Sequence, residues 1–191
     1  MKNIFDHVFA RGAHVCPWWL CFTFDNIFRK IFQNPERILS EYIKPGYTIL
    51  DIGPGRGYFT LPMARMAGTS GRVYAVDIQP RMLQILGKKA ARQKLDKRIV
   101  TLLANGDNPP LDDPLDFALA FWMVHEVPDC ENFLAGVYRA LKPGGRFLIA
   151  EPFVHVTGKK FENTVMLAIK TGFRQADSPR IFGSRAVLLV K

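Results

Sequence analysis

Apolar positions along this chain follow two different periods. Short apolar runs at 48–52, 72–76, 99–103, 117–122 and 146–150 read as buried strands, each bounded by Gly, Pro, Asn or Asp. Between them lie stretches with helical spacing at 59–67, 80–93, 131–141 and 161–170. In 80–93, Leu83, Leu86 and Ala90 point inward while Lys88, Lys89 and Arg92 form a solvated basic face. Asn34-Pro35-Glu36 starts one more short helix, with Asn34 as cap and Pro35 in its first turn, and Lys44-Pro45-Gly46 ends it. Lys142-Pro143-Gly144-Gly145 stops the 131–141 helix. The closing runs 173–176 and 186–190 have no helix between them, so they predict a hairpin that brings one antiparallel strand into the sheet. Strand alternating with helix predicts an α/β protein whose mostly parallel sheet is covered on both faces. Ligands on such sheets sit at the carboxyl ends of the strands, where the strand order reverses.

Residues 1–34 break this rhythm. They are dense in aromatics and cysteine, have no clean period, and are interrupted at Pro17 and Pro35. They read as a cover packed on a main domain at 35–191, through Trp18, Trp19, Phe22, Phe24, Phe28 and Phe32, or as a lid over an apolar pocket or a membrane-facing segment helped by Arg29 and Lys30. The 191 residues suffice for one domain with a full core. A hydrophobic fraction of 48% with 23% charged residues fits a folded protein and excludes a disordered one. No apolar run reaches the roughly 18 residues of a membrane span, and 15–24 lacks the small-residue cleavage site of a signal peptide. The net charge of +9 raises nucleic acid, an anionic membrane or an acidic substrate as partners without choosing among them. Cys16, Cys21 and Cys130 are odd in number and lack a Cys-x-x-Cys pair, so a reducing, cytoplasmic setting is expected and no metal site is assigned, His14 beside Cys16 included.

Chemistry concentrates at Ile49-Leu50-Asp51-Ile52-Gly53-Pro54-Gly55-Arg56-Gly57-Tyr58-Phe59-Thr60. An apolar run ends at a carboxylate and turns through three alternating glycines into a helix. Such a turn lets a ligand approach the main chain without meeting a Cβ, and the helix start aims unpaired N–H groups at the same spot. Asp77 closes the second strand, where an acid reaches the two hydroxyls of a ribose bound across the first turn, so the ligand contains a nucleoside. The spacing Gly53-x-Gly55-x-Gly57 departs from the Gly-x-Gly-x-x-Gly dinucleotide fingerprint.

These residues resemble the class I S-adenosylmethionine-dependent methyltransferases, and more closely the small proteins related to the ubiquinone and menaquinone C-methyltransferases. The likeness covers about residue 35 to the end. Residues 50–57 are similar to the first motif of the family, and Tyr74-Ala75-Val76-Asp77-Ile78 with Met82 to its acidic motif and adenine-packing positions. Residues 121–129 are similar to the stretch after the fourth strand, and 138–147 to the stretch before the fifth. The resemblance implies a three-layer Rossmann-like fold with a seven-stranded sheet and S-adenosylmethionine as cofactor. It implies cofactor contacts from Asp51, Gly53, Gly55, Gly57 and Phe59, then from Asp77, Ile78 and Met82, and from Asn105, Gly106 and Phe121. After the third strand the family usually places an acid followed by a small residue. Counting back from Pro109-Pro110-Leu111 puts Asn105 and Gly106 there, while counting from the strand end favours Asp107.

Two other signatures fit less well. Asn108-Pro109-Pro110-Leu111 precedes the fourth strand and ends in leucine, unlike the Asn-Pro-Pro-aromatic signature of amino-methylating nucleic-acid enzymes. Tyr138-x-x-x-Lys142 has the spacing of a short-chain dehydrogenase pair, yet Lys142 falls at a helix end away from the expected ligand edge. Methyl transfer mainly needs alignment and exclusion of water. His125 and Glu126, just past the fourth strand, are the candidate bases, or else a wall residue and a helix-start hydrogen bonder. The expected substrate is a small, partly apolar acceptor. The alternatives are RNA or another macromolecule, and a cofactor-binding protein with little catalysis.

Overall fold

The computed structural model describes residues 32–104, 111 and 113–191. Expectations placed on 1–31, including the aromatic cover and the His14, Cys16 and Cys21 group, lie outside the described residues. So do Asn105, Gly106 and Asp107.

The strands are β1 (Thr48–Ile52), β2 (Arg72–Asp77), β3 (Ile99–Leu103), β4 (Leu115–Phe121), β5 (Leu141–Pro152), β6 (Arg174–Asp177) and β7 (Ser184–Val190). The helices are α1 (Pro35–Leu39), α2 (Thr60–Met66), α3 (Pro80–Arg92), α4 (Cys130–Ala140) and α5 (Gly158–Thr171). One seven-stranded sheet has the order β3-β2-β1-β4-β5-β7-β6. β1 lies parallel between β2 and β4, and β7 runs antiparallel to both β5 and β6. The expected single antiparallel strand is therefore β7.

Alternation along the strands builds a core on each face. Ile49 packs with Leu39, Met63 and Leu86 on one side, and Leu50 and Ile52 with Phe133, Val137 and Ala168 on the other. The edge strand β6 is exposed along its length and carries Arg174 and Asp177, charges that discourage edge-to-edge pairing. β1 sits where the chain turns back, with β2 and β3 to one side and β4 onward to the other, so its carboxyl end opens a crevice.

Most elements match the sequence pattern to within three residues, and two depart from it by about five. The first helix ends at Leu39 instead of near Lys44, because the N–H groups of Tyr42 and Ile43 both turn back to the Leu39 carbonyl and bury those side chains. β5 starts at Leu141, not Arg146. Leu141 pairs with Leu115, the register then shifts, and Lys142-Pro143-Gly144-Gly145 becomes an irregular part of the strand. Lys142 ends there on Asp116 (2.7 Å), while Tyr138 packs on Phe173 and Gly172. Both are engaged elsewhere, so the dehydrogenase-like pair has no role.

Candidate functional site

The glycine turn is fixed by its neighbours. Gly53 N–H donates to the Val76 carbonyl (2.9 Å) and Gly57 N–H to that of Pro54 (2.9 Å). Gly53, Gly55 and Gly57 have φ of +68°, +53° and +85°, a region that favours glycine. What lies beyond each differs. A Cβ on Gly53 would stand 3.1 Å from Met123, and one on Gly57 would overlap Leu86 Cδ1, whereas one on Gly55 would meet nothing within 4 Å. Gly57 thus admits the close packing of α3, and Gly55 leaves room for a ligand. Lys89 Nζ reaches 2.9 Å from the Arg56 carbonyl, so Lys89, expected on a solvated face, braces the turn instead.

Two buried carboxyl groups flank the turn on one face of the sheet. Asp51 is 2% exposed and accepts from Thr60 Oγ1 at 2.6 Å, at the start of α2. Burial pushes its pKa up to about 7, against that hydrogen bond and with help from the Asp77 charge. Asp77 is pushed up to about 6, again by burial, although backbone N–H groups of Gln79, Gly55 and Ile78 favour its charged form. The nearby charge of Glu126 adds to the rise. Because Asp51 titrates above the ordinary 3.8, its protonated form stabilises the fold below about pH 4, and this contribution is lost as pH rises through about 7. An Asp51→Asn variant keeps an acceptor for Thr60 and cannot ionise. It is expected to be more stable than the parent at pH 8 by on the order of 2 kcal/mol, with the gap closing toward pH 4, as read by thermal melts across pH.

A second group of residues gathers past β4. Trp122, directly after Phe121, has φ +60°, an uncommon conformation for a bulky side chain. It is held by its N–H to the Ala150 carbonyl (2.7 Å) and by its indole Nε1–H to Ser184 Oγ (2.7 Å). Such strain persists only where the surroundings over-determine it, and it concentrates at functional sites. The next residues form a short 3-10 turn, Val124–Glu126, whose start is capped by Glu151 near the end of β5. The Glu151 carboxylate, 2% exposed, accepts from the N–H groups of Met123 (3.1 Å), Val124 (3.0 Å) and His125 (3.1 Å). It also lies 2.6 Å from His125 Nδ1. An acceptor so placed keeps the proton on Nδ1 of the neutral ring and leaves Nε2 as the basic nitrogen. Burial lowers the His125 pKa, but the Glu151 hydrogen bond and charge, with Glu126 behind them, raise it net above 6.5. The His155 ring stacks near His125, centroids 6.0 Å apart.

The remaining sequence-derived positions are spread around this crevice. Phe59 precedes α2 and packs on Phe121, ring centroids 4.3 Å apart, with both side chains largely buried. Met82 is buried at the start of α3, and Ile78 is partly buried after β2. Ala104 N–H donates to the Asp77 carbonyl (2.9 Å), tying the end of β3 to the acidic position. The sequence points to residues 1–34 and to the loops after the fourth and fifth strands, 151–155 included, as the walls of the substrate pocket, but not to the pairing of Glu151 with His125 or to a role for Trp122. Cys130 opens α4 half-buried, and burial pushes its thiol up to about 11, which makes it a poor nucleophile. Among the described residues no group of three or more His, Cys, Asp or Glu is placed to hold a metal ion.

Acids at the ends of β1 and β2, a glycine turn open at Gly55 and a crevice where the sheet reverses define a nucleoside-binding protein of the doubly wound class. Residues 50–149 match the family model described as a methyltransferase domain, and the chain belongs to that family, whose cofactor is S-adenosylmethionine. It is 34% identical over 110 residues to the ubiquinone/menaquinone biosynthesis C-methyltransferase UbiE of Marinomonas sp. (strain MWYL1), covering 57% of this chain and 44% of that protein. It is 37% identical over 109 residues to the demethylmenaquinone methyltransferase of Tropheryma whipplei (strain Twist), covering 57% and 43%. The chain thus spans less than half the length of these curated relatives. The crystal structure of a SAM dependent methyltransferase from Aquifex aeolicus has the same fold, with a TM-score of 0.80 at 24% identity, over 92% of this chain and 99% of that one.

The residues present fit the cofactor. The space over Gly55 admits a ligand against the main chain, and Asp77 is oriented by the Gly55 N–H of the turn and by the N–H groups of Ile78 and Gln79. Asp51 is closed in beneath the turn, with one of its oxygens taken by Thr60 Oγ1–H.

Proposed function

We propose that this chain binds S-adenosylmethionine over the Gly53–Gly57 turn, with Asp77 on the ribose hydroxyls, and methylates a small, partly apolar acceptor lying against Trp122, His125 and His155. The observation that supports this most is the pairing of His125 Nδ1 with the buried Glu151 at 2.6 Å, beside the crevice that Gly55 leaves open. The cofactor supplies an electrophilic methyl group on a positively charged sulfur. The acceptor's nucleophilic atom would bond to that carbon as the carbon–sulfur bond breaks, its electron pair staying on sulfur to leave a neutral thioether, and the proton that atom gives up would go to His125 Nε2. Glu151 fixes the ring and stabilises the imidazolium that results. Trp122 walls the site and helps to exclude water. The relatives named for ubiquinone, menaquinone and demethylmenaquinone favour a quinone-like aromatic acceptor.

Phe32 and Gln33 support reading residues 1–34 as a cover. Phe32 stacks on Phe182 at 4.7 Å, and Gln33 donates to the Phe182 carbonyl (2.7 Å) and accepts from Tyr58 Oη–H (2.9 Å), beside the carboxyl edge of the sheet. We take the cell compartment to be the cytoplasm, in keeping with cysteines that suggest no disulfide framework. No helix among the described residues is long and apolar enough to cross a membrane.

The test is methyl transfer from labelled S-adenosylmethionine to a panel of hydroxylated aromatic and quinol acceptors. His125→Ala is expected to lower kcat about 100-fold with little change in cofactor affinity. Glu151→Gln should also shift the rising limb of the pH–rate profile toward lower pH, because the charge that raises His125 is gone. Equal losses of turnover and of cofactor affinity in both variants would assign the pair a structural role only.

A further inference from the structure

At one corner of the sheet's carboxyl edge, two loops run side by side, joined by a hydrogen bond from Phe153 N–H to the Gly183 carbonyl (3.1 Å). One follows β5 and the other precedes and enters β7. Both expose large apolar side chains: Phe153 is 53% exposed, Val154 85%, and Phe182 63% even with the Phe32 ring stacked on it. Folding gains nothing from leaving that much apolar surface in water, and a contiguous group of such tips on a folded domain signals a partner. A hollow of about 440 Å³ opens between them, lined by Phe153, Arg180, Ile181, Phe182, Gly183 and Ser184.

Along these two segments the charge has one sign. Residues 153–160 and 178–185 contain Lys159, Lys160, Arg180 and Arg185 and no Asp or Glu. The nearest carboxylates along the chain, Asp177 and Glu162, lie just outside the two segments, and Glu151 is buried under the loop. Arg185 stays within the patch, its guanidinium 4.7 Å over the Phe153 ring and donating to the Val156 carbonyl (2.8 Å).

We infer that this corner docks on an anionic lipid surface, with Phe153, Val154 and Phe182 entering the interface, Arg185 holding the Phe153 ring, and Lys159, Lys160 and Arg180 meeting the headgroups. Apolar tips inside a basic rim are the arrangement by which peripheral proteins combine apolar burial with attraction to anionic lipid. RNA fits the patch less well. Base stacking needs aromatic faces, and the most exposed residue, Val154, has none. The inference deepens the proposed function, on whose reading of a partly apolar acceptor it rests. Ser184 belongs both to the hollow and to the Trp122 indole hydrogen bond, so the docked corner adjoins the wall of the site and lets a membrane-dissolved acceptor arrive from the lipid.

Sedimentation of the full chain with vesicles of phosphatidylcholine, with and without phosphatidylglycerol, tests this. The chain is expected to partition at least tenfold more onto the anionic vesicles. Lys159→Glu with Arg180→Glu should weaken that binding by more than tenfold, since each basic residue is worth about fivefold, the ratio set by about 1 kcal/mol. Val154→Asp with Phe182→Ser should weaken binding to a similar extent. Unchanged calorimetric titration with S-adenosylhomocysteine in these variants shows that they remain folded. Equal binding to neutral vesicles, undiminished binding in both double variants, or RNA displacing the vesicles and losing affinity in the same variants would overturn the inference. A parent chain that sediments as expected yet gives no heat with S-adenosylhomocysteine would count against the proposed cofactor site and leave the lipid surface established.

Discussion

Asp77→Ala is expected to weaken S-adenosylmethionine binding by about 100- to 1,000-fold while leaving the chain folded. Asp77 ends β2 within the carboxyl-edge crevice, and N–H groups from Gly55, Ile78 and Gln79 hold its carboxylate in one orientation. Hydrogen bonds to a charged acceptor are worth about 1.5–3 kcal/mol each, and two ribose hydroxyls would lose theirs together. Asp77→Asn retains one acceptor oxygen and should lose less. Titration calorimetry at neutral pH reads both affinities, with thermal melts as the check on folding. In the parent chain the affinity should also fall as pH drops through about 6, where Asp77 takes up its proton and one of its oxygens becomes a donor. A flat profile there would remove Asp77 from the binding role.

The second large effect separates two glycines of one turn. Gly57→Ala is expected to destabilise the fold by about 3 kcal/mol, or roughly 10 °C in Tm for a chain of this size. The new methyl would overlap Leu86 Cδ1, forcing α3 away from the turn, and a non-glycine residue would be held at φ +85°. Gly55→Ala carries only the backbone cost, about 1 kcal/mol, because nothing lies within 4 Å of its new methyl. Its methyl enters the ligand space, so it should retain a near-parental Tm and bind the cofactor at least tenfold more weakly. If Gly55→Ala instead melted early and bound normally, the open space over the turn would not be where the cofactor lies.

How much of this was legible in the sequence depends on how local each signal is. The strand–glycine–helix succession around Asp51 and the acid at Asp77 are short-range patterns with direct conformational meaning, and the structure has the strands, the turn and both acids where the pattern puts them. The same locality explains α3, whose buried Leu83, Leu86 and Ala90 follow the helical period. The pocket loop at 151–155 was legible, but the capping role of Glu151 was hidden because its partners Met123, Val124 and His125 are 26 to 28 residues away, and only the register of β5 beside β4 brings them together. Lys89 read as one more solvated cation, since no sequence period shows that its amine reaches the Arg56 carbonyl. The strain at Trp122 is equally silent, arising from contacts with Ala150 and Ser184 on β5 and β7. The early β5 start was masked by Pro143, Gly144 and Gly145, which ordinarily end structure and here sit in an irregular pairing opposite Leu115.

The site thus divides into two halves with different origins. The glycine turn and Asp77 come from consecutive β-α-β units and form the cofactor side of the proposed site. Trp122, His125, Glu151 and His155 come from β5 and the loops after β4 and β5, and form its proposed acceptor side. Gly53 and Met123 join the halves, since the glycine leaves only 3.1 Å between its missing methyl and that side chain.

Calorimetric titration of the unmodified chain with S-adenosylmethionine and S-adenosylhomocysteine tests most directly whether the crevice at the carboxyl end of β1 binds the cofactor. The expected result is one site per chain for both ligands, with a rise in Tm on saturation that follows mass action. No heat and no Tm shift with either ligand, in a chain whose cooperative melt shows it folded, would contradict the account.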